Sequence, residues 1–243
     1  MVTFIPFGEK PNREGVEYAA RLLIREGLVE ESEVKAVEGN RLETIAGKIT
    51  PDCCYVTGEH LVTYAILEKL RPASLISLDA HTDLLHDYLD HGSWLAYALE
   101  ERKVHRAAVI GPVLMIPTSK RTKLWTRRVR IYPALPRTRR SERGWESYLN
   151  LTNNDAEEVL EDVKRYLGKE VYLTVDLDVL RPEYRIARFQ HGELTLDRLL
   201  DVIEGIKEKF RVLSFDITEV SDRIKRSRSG KKALIEVFSA LRG

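Results

Sequence analysis

Long apolar runs are missing from this chain of 243 residues. Its longest uncharged stretches, such as residues 61–67, fall far short of the roughly 20 needed to cross a bilayer. Cysteine is nearly absent: only Cys53 and Cys54 occur, side by side. Neighbours on a strand point to opposite faces, so the pair suits small buried positions better than a disulfide, and a reducing compartment is expected. An excess of one charge is missing too. With 39 Lys and Arg against 38 Asp and Glu, the formal charge is +1, which gives no global pull toward nucleic acid or membrane. Glu9, Lys10, Arg13 and Glu14 interrupt the start, so no secretory leader is expected and the chain is read as cytoplasmic. No Gly/Ser linker and no fixed-period repeat divides it, which points to one domain over residues 1–243. The hydrophobic share of 43% suffices for a core, and the 32% of charged residues would suit a thermophilic source.

What is present is alternation. Short apolar runs at 3–7, 53–56, 75–78, 107–110, 129–132, 171–175 and 212–217, with a weaker one at 34–37, read as strands. Amphipathic patterns at 13–26, 60–70, 94–102, 155–167, 196–210 and 231–241 read as helices. In the fifth of these Leu199, Leu200, Ile203, Ile206 and Phe210 share one face, and Thr195 stands where an N-cap belongs. Nearly all-apolar strands, each followed by a helix, indicate a parallel sheet covered on both faces. The expected architecture is a single three-layer α/β domain with a mostly parallel sheet of about eight strands.

Ligands of such folds gather at the carboxyl ends of the strands, so chemistry should fall where the apolar runs stop. Leu75-Ile76-Ser77-Leu78 stops at Asp79-Ala80-His81-Thr82-Asp83, and Val171-Tyr172-Leu173-Thr174-Val175 at Asp176-Leu177-Asp178. Cys53-Cys54-Tyr55-Val56 stops at Thr57-Gly58-Glu59-His60, and Leu213-Ser214-Phe215 at Asp216-Ile217-Thr218-Glu219. Carboxylates gathered in this way raise one another's pKa and destabilise the fold unless a cation lies among them. Divalent metal ions are the natural compensation, and mixed carboxylate and imidazole ligands suit Mn²⁺, and also Zn²⁺, Co²⁺ or Fe²⁺. Alternate residues of an extended segment share a side, so D-x-H and D-x-D can each chelate or bridge. Two ions sharing a water would generate hydroxide near neutral pH. A lone D-x-D is an ordinary turn; four such segments at strand ends read as a metal site.

In this order the segments resemble the ureohydrolase family, which includes arginase, agmatinase and guanidinobutyrase. Its members carry G-G-D-H, D-A-H-x-D, S-x-D-x-D and D-I-x-E-V segments, matched here at 57–60, 79–83, 174–178 and 216–220. The resemblance implies an arginase-like fold, two Mn²⁺ ions and hydrolysis of a guanidino compound to urea and an amine. His60, Asp79, Asp83 and Asp176 would hold one ion, and His81, Asp79, Asp176 and Asp178 the other, with Asp79 and Asp176 bridging. Asp83 would also orient the attacking hydroxide, and Glu219 would hold the guanidinium by charge-assisted hydrogen bonds. His91, in Asp90-His91-Gly92-Ser93, would pass protons to the leaving amine. That stretch is closer to agmatinases than to arginases, whose S-G-N-x-H-G segment is absent. Agmatine or an aminopropyl derivative is therefore the implied substrate, a homo-oligomer the implied assembly, and no membrane partner is implied. Thr57 and Glu59 replace the family's Gly and Asp, Arg181 replaces the Asp before Pro182, and a shorter loop over 183–193 carries His191-Gly192 near its end. These departures touch the expected substrate entrance and remove no metal ligand.

Other polar residues have plainer readings. His191 reads as a polar loop histidine ahead of an extra active-site group, His86 and His105 as solvent-facing, Asp216 as support for the ligands ahead of a residue merely hydrogen-bonded to backbone, and Trp94 as a core residue or a wall of the site. Segment 120–143 is strongly basic, with Lys120, Arg121, Lys123, Arg127, Arg128, Arg130, Arg137, Arg139, Arg140 and Arg143 against Glu142, and a second basic cluster lies at 223–232. Trp125, Tyr132 and Trp145 are interleaved with the first, so a nucleic-acid surface is conceivable; a solvated loop or subunit contact is the simpler reading. The alternative to an enzyme is a metal-binding but catalytically idle member acting as a scaffold through that basic surface. A deacetylase on the same fold is disfavoured, because the paired histidines expected beside its general base are missing.

Overall fold

Strands that are apolar on both faces can be covered only by helices on both sides, and the sheet obeys that rule. In the computed structural model, which describes residues 1–52, 54–85, 88–114, 127–141 and 144–243, the first six strands are β1 (Val2–Ile5), β2 (Val34–Ala36), β3 (Cys54–Thr57), β4 (Ser74–Leu78), β5 (Arg106–Ile110) and β6 (Val129–Tyr132). After the two short strands β7 (Thr138–Ser141) and β8 (Gly144–Ser147) come β9 (Glu170–Asp176) and β10 (Arg211–Thr218). Eight of these form one sheet in the order β2-β1-β3-β10-β9-β4-β5-β6, with every described pairing parallel. The strands β7 and β8 make a separate antiparallel hairpin.

The helices are α1 (Lys10–Arg25), α2 (Leu42–Lys48), α3 (Leu61–Leu70), α4 (Trp94–Glu100), α5 (Ala156–Leu167), α6 (Leu196–Lys209) and α7 (Arg228–Arg242). One face of the sheet packs Ile76, Leu173 and Ile217 against Leu22 of α1, Val163 of α5, Ile203 of α6 and Phe238 of α7. The opposite face packs Leu75, Tyr172 and Val109 against Ile45 of α2, Ile66 of α3 and Leu99 of α4. Leu75 and Ile76 part to opposite faces, as the two-residue period of a strand requires. The α/β reading with eight parallel strands and helices on both sides therefore holds, and its strand ends move by only a residue or two.

Three differences have local causes. Helix α2 went unread because it has one and a half to two turns and a single buried residue, Ile45, so no periodicity builds up. The β7–β8 hairpin lacks the apolar alternation of a half-buried strand, and in β8 no residue is buried. Helix α7 begins at Arg228, ahead of the apolar repeat, because the Ser227 side chain accepts a hydrogen bond from the Gly230 N–H at 2.9 Å and caps it. Thr195 caps α6 as expected, accepting from the Arg198 N–H at 3.2 Å.

Strand order decides where the chemistry meets. The four motif-bearing strands are consecutive, β3-β10-β9-β4, at the middle of the sheet. Leu78 pairs with Val175, so Asp79 and Asp176 leave neighbouring strands at the same level; Thr218 pairs with Asp176 on the other side. Helix α1 closes on this end of the sheet so tightly that a Cβ at Gly15 would lie 2.4 Å from the Val220 carbonyl oxygen, one residue past Glu219. Gly15→Ala should therefore lower the thermal midpoint by several degrees. Overpacking costs about 1–3 kcal/mol, and a chain of this length shifts about 2–4 °C per kcal/mol. Gly47→Ala, where nothing lies within 4 Å of the new Cβ, should leave the midpoint unchanged or higher in the same calorimetric comparison.

Candidate metal centre

Each ligand candidate sits just past its strand. His60 caps α3 after β3, Asp79 follows β4, Asp176 ends β9 and Asp178 stands in the single 3₁₀ turn after it. Spare carboxylate oxygens are tied to backbone donors: Asp79 accepts from the His81 N–H at 2.6 Å, Asp176 from the Asp178 N–H at 2.8 Å and Asp178 from the Ala80 N–H at 3.1 Å. The remaining oxygens are thereby turned toward one another. Asp83 reaches inward from a left-handed backbone conformation (φ 50°), and its Oδ2 accepts from the Trp94 indole N–H at 2.5 Å.

These oxygens surround one imidazole nitrogen. His60 Nδ1 lies 3.1 Å from a carboxylate oxygen of each of Asp79, Asp83 and Asp176. His60 Nδ1 and Asp79 Oδ2 are nevertheless buried without a hydrogen-bond partner among the described residues. An unaligned nitrogen equidistant from three anionic oxygens is the arrangement of donors around a shared cation. The distances agree, since the edge of an octahedron with bonds of about 2.1 Å is about 3.0 Å. Beside it, His81 Nδ1 lies 2.8 Å from Asp178 Oδ2 and 3.6 Å from Asp79 Oδ1. His60, Asp79 and Asp176 form one potential ligand group, and Asp79, His81 and Asp178 a second that shares Asp79. The donor set thus fits two divalent ions.

Without such ions the cluster can balance its charge only by retaining protons. Burial and the neighbouring Asp79 push Asp83 up to about 7, and burial and Asp178 push Asp176 well above the carboxylate range. Burial opposes a charge on His60, but the nearby carboxylates of Asp176, Asp79 and Asp83 override it and hold the imidazole well above its usual value. His81 is lifted to about 12 against burial by Asp178 and Asp79.

A supporting layer lies beneath. His60 Nε2 is 2.9 Å from Thr174 Oγ1, and the Asp216 carboxylate accepts from Thr63 at 2.8 Å and from Tyr172 at 2.7 Å. Asp216 is fully buried with its carboxyl pushed up by burial, which places it under the ligands as expected. Trp94 is a core residue: it is fully buried, its ring lies 4.6 Å from that of His60, and it is not among the described residues that line the cleft.

The ligands form the floor of a cleft of about 330 Å³ whose lining includes Glu219, His91 and His191. Glu219, also left-handed (φ 61°), accepts from the His60 N–H at 3.1 Å. Burial pushes its carboxyl up to about 8, opposed by that N–H and aided by Asp178. His91 is exposed at the cleft edge. His191 is not a plain loop residue, because its ring meets His81 edge-on at 6.1 Å. The Gly192 N–H, bonded to the Asp178 carbonyl at 2.9 Å, draws that loop onto the site. His105 is exposed, as read, while His86 and Cys53 lie outside the described residues; Cys54 is buried. Sequence reasoning missed the rim: Glu9, Asn12, Arg188 and Phe189 also line the cleft. Glu9 and Asn12 come from the start of α1 and Arg188 and Phe189 from one loop, and only the buried polar position of Asn12 on an otherwise apolar helix face gave a signal.

Comparison with known proteins places these features in context. A family model described as Arginase family matches residues 29–240. The agmatinase of Bacillus cereus is 30% identical over 174 residues, which cover 68% of this chain and 53% of that protein. The chain thus spans about half the length of that curated relative. The N(1)-aminopropylagmatine ureohydrolase of Thermus thermophilus is 25% identical over 226 residues, 89% of this chain and 70% of that protein. Among solved structures, proclavaminate amidino hydrolase from Streptomyces clavuligerus shares the fold with a TM-score of 0.72 at 16% identity, covering 100% of this chain and 92% of that one.

Removing the partner of His60 Nε2 tests the supporting layer. Thr174→Val is nearly isosteric, and loss of such a partner should weaken divalent-metal affinity about 10–100-fold. Competition against a chelating dye reads that loss, and unchanged affinity would show that Thr174 only fills space.

Proposed function

The chain belongs to the arginase family, and from that premise we propose that it is a metal-dependent amidinohydrolase, cleaving a guanidino compound to urea and an amine. The observation that carries the reading is the convergence of three carboxylates at 3.1 Å on His60 Nδ1, at the floor of a cleft that also holds Glu219 and His91. His60, Asp79, Asp83 and Asp176 would hold one ion, and His81, Asp79, Asp176 and Asp178 the other. Mn²⁺ is the first choice for so carboxylate-rich a set, with Zn²⁺, Co²⁺ and Fe²⁺ as alternatives. When bound, a pair of divalent ions supplies Lewis acidity, which acidifies water and polarises the substrate.

The chain's own residues do the rest. Glu219 is locked by the His60 N–H and presents a carboxylate to a planar guanidinium, which brings the cation that this buried group lacks. Asp83, fixed through its Oδ2 by Trp94, accepts a hydrogen bond from the attacking water and orients it. His91, exposed at the edge, carries the proton to the nitrogen of the departing amine. The apolar cleft wall at Leu85 and Leu114 suits a methylene chain, which supports agmatine or a related guanidino-amine as substrate. The basic surface lends less support to a nucleic-acid or scaffold role. Arg128 is spent on the Leu99 and His105 carbonyls, Arg130 on Asp162 and Arg139 on Glu146; Lys120, Arg121, Lys123, Trp125, Glu142 and Arg143 lie outside the described residues. Among the described residues no helix is long and apolar enough to cross a membrane.

Supplied with Mn²⁺, the protein should release urea from agmatine in a colorimetric assay, and a chelator should abolish the release. His91→Asn should lower kcat by about 10²–10⁴ with metal content unchanged. No urea from a panel of guanidino compounds, with two metals bound per chain, would overturn the hydrolase reading.

A further inference from the structure

Beyond the ligands, the cleft is unevenly charged. Among the described residues, its remaining lining includes three carboxylates, Glu9, Glu59 and Glu219, against the single guanidinium of Arg188. Arg188 is already engaged, 2.7 Å from Glu9 and 5.1 Å from the Phe189 ring centroid. With two divalent ions bound, the four ligand aspartates would be balanced, and Glu219 and Glu59 would remain as the acidic groups of the cleft beyond the Arg188–Glu9 pair. Glu219 accounts for one substrate cation, and Glu59 calls for a second.

Glu59 is built into place. Its carboxylate lies across Gly8, where φ is 98° and a Cβ would come within 2.2 Å of Glu59 Oε1, and that oxygen also accepts from the Glu9 N–H at 3.3 Å. Also lining the cleft, Asn12 is 3% exposed and donates through Nδ2 to the carbonyl of Gly58, the residue before Glu59, at 2.6 Å. Its Oδ1 is buried with no hydrogen-bond partner among the described residues. A buried carbonyl oxygen without a donor is a costly group, and it demands a ligand that donates. A carboxylate beside an orphaned amide oxygen is an acceptor-only pair. An alkylammonium, with three donors and no acceptor, complements it; a carboxylate or an uncharged methyl does not.

We propose that Glu59, with Asn12, is the specificity subsite for the tail ammonium of a dicationic guanidino-amine. The proposal rests on the hydrolase reading for its guanidinium end, and the Arg188–Glu9 pair keeps the rim guanidinium from attracting acidic tails. A glutamate replacing the family's aspartate just before His60 supplies the longer reach over Gly8.

The test uses the Mn²⁺-loaded full chain and three substrates that share a four-carbon chain: 4-aminobutylguanidine, butylguanidine and 4-guanidinobutanoate. The wild type should favour the first. Glu59→Gln keeps the shape and the acceptor for the Glu9 N–H; it should cut kcat/KM for the dication about tenfold or more, mainly through KM, and leave butylguanidine within about twofold. Equal losses on the dication and butylguanidine, or no loss on the dication, overturn the subsite. Calorimetric affinity of the dication for wild type and Glu59→Gln separates the two readings. Glu59-dependent binding without urea keeps the subsite and removes the hydrolase, whereas binding that ignores Glu59 removes the subsite whatever the turnover.

Discussion

Four aspartates held within reach of one another at the middle of the sheet are the constraint that the rest of the structure serves. Such a cluster is intolerable in a low-dielectric interior unless positive charge is provided. The fold concentrates it all the same, by placing β9 and β10 between β3 and β4 so that four strand ends deliver their side chains to one spot. Backbone N–H groups of His81, Ala80 and Asp178 each take one carboxylate oxygen, which fixes the other without adding a competing cation. The partial positive charge of those amides is too small to neutralise the cluster, and so the centre is stable as a cation site rather than as a salt-bridged core.

The same economy appears below the ligands. Thr174, on the same strand as Asp176, occupies the far nitrogen of His60, while the fully buried Asp216 carboxylate, on the neighbouring strand, is held by the hydroxyls of Thr63 and Tyr172. Left-handed backbones at Asp83 and Glu219 are strained choices for residues with side chains, costing about 1–2 kcal/mol each. They persist because Trp94 and the His60 N–H grip the side chains they present.

The sheet and the ligand set were legible in the sequence for a shared physical reason. Strand cores such as 75–78 and 171–175 are apolar on both faces, so a polar residue that follows must lie at an end; Asp79 and Asp176 announce both the strand's limit and the site. The rim was not legible. Arg188 comes from a loop about 175 residues away from Glu9 and Asn12 at the start of α1, so the two groups meet only in three dimensions, and only the buried polar Asn12 stands out locally. His191 was underread for the opposite reason: the loop that carries it looks polar and ordinary until the Gly192 amide pins it to the Asp178 carbonyl. Short elements with one buried residue, such as α2, fall below the length at which periodicity carries information.

The position of β10 has a consequence for how the protein comes into being. Among the described residues Arg211–Thr218 form the last strand in chain order, yet they sit between β3 and β9, with Phe215 paired to Cys54 more than 150 residues earlier in the chain. Closing that long loop is slow and comes late. Until it happens β3 has no partner on that side, and His60 is separated from Asp176 by an unfilled place in the sheet. A ribosome-bound fragment ending before Arg211 therefore holds all six candidate ligands, from His60 to Asp178, but not the strand order that brings them together.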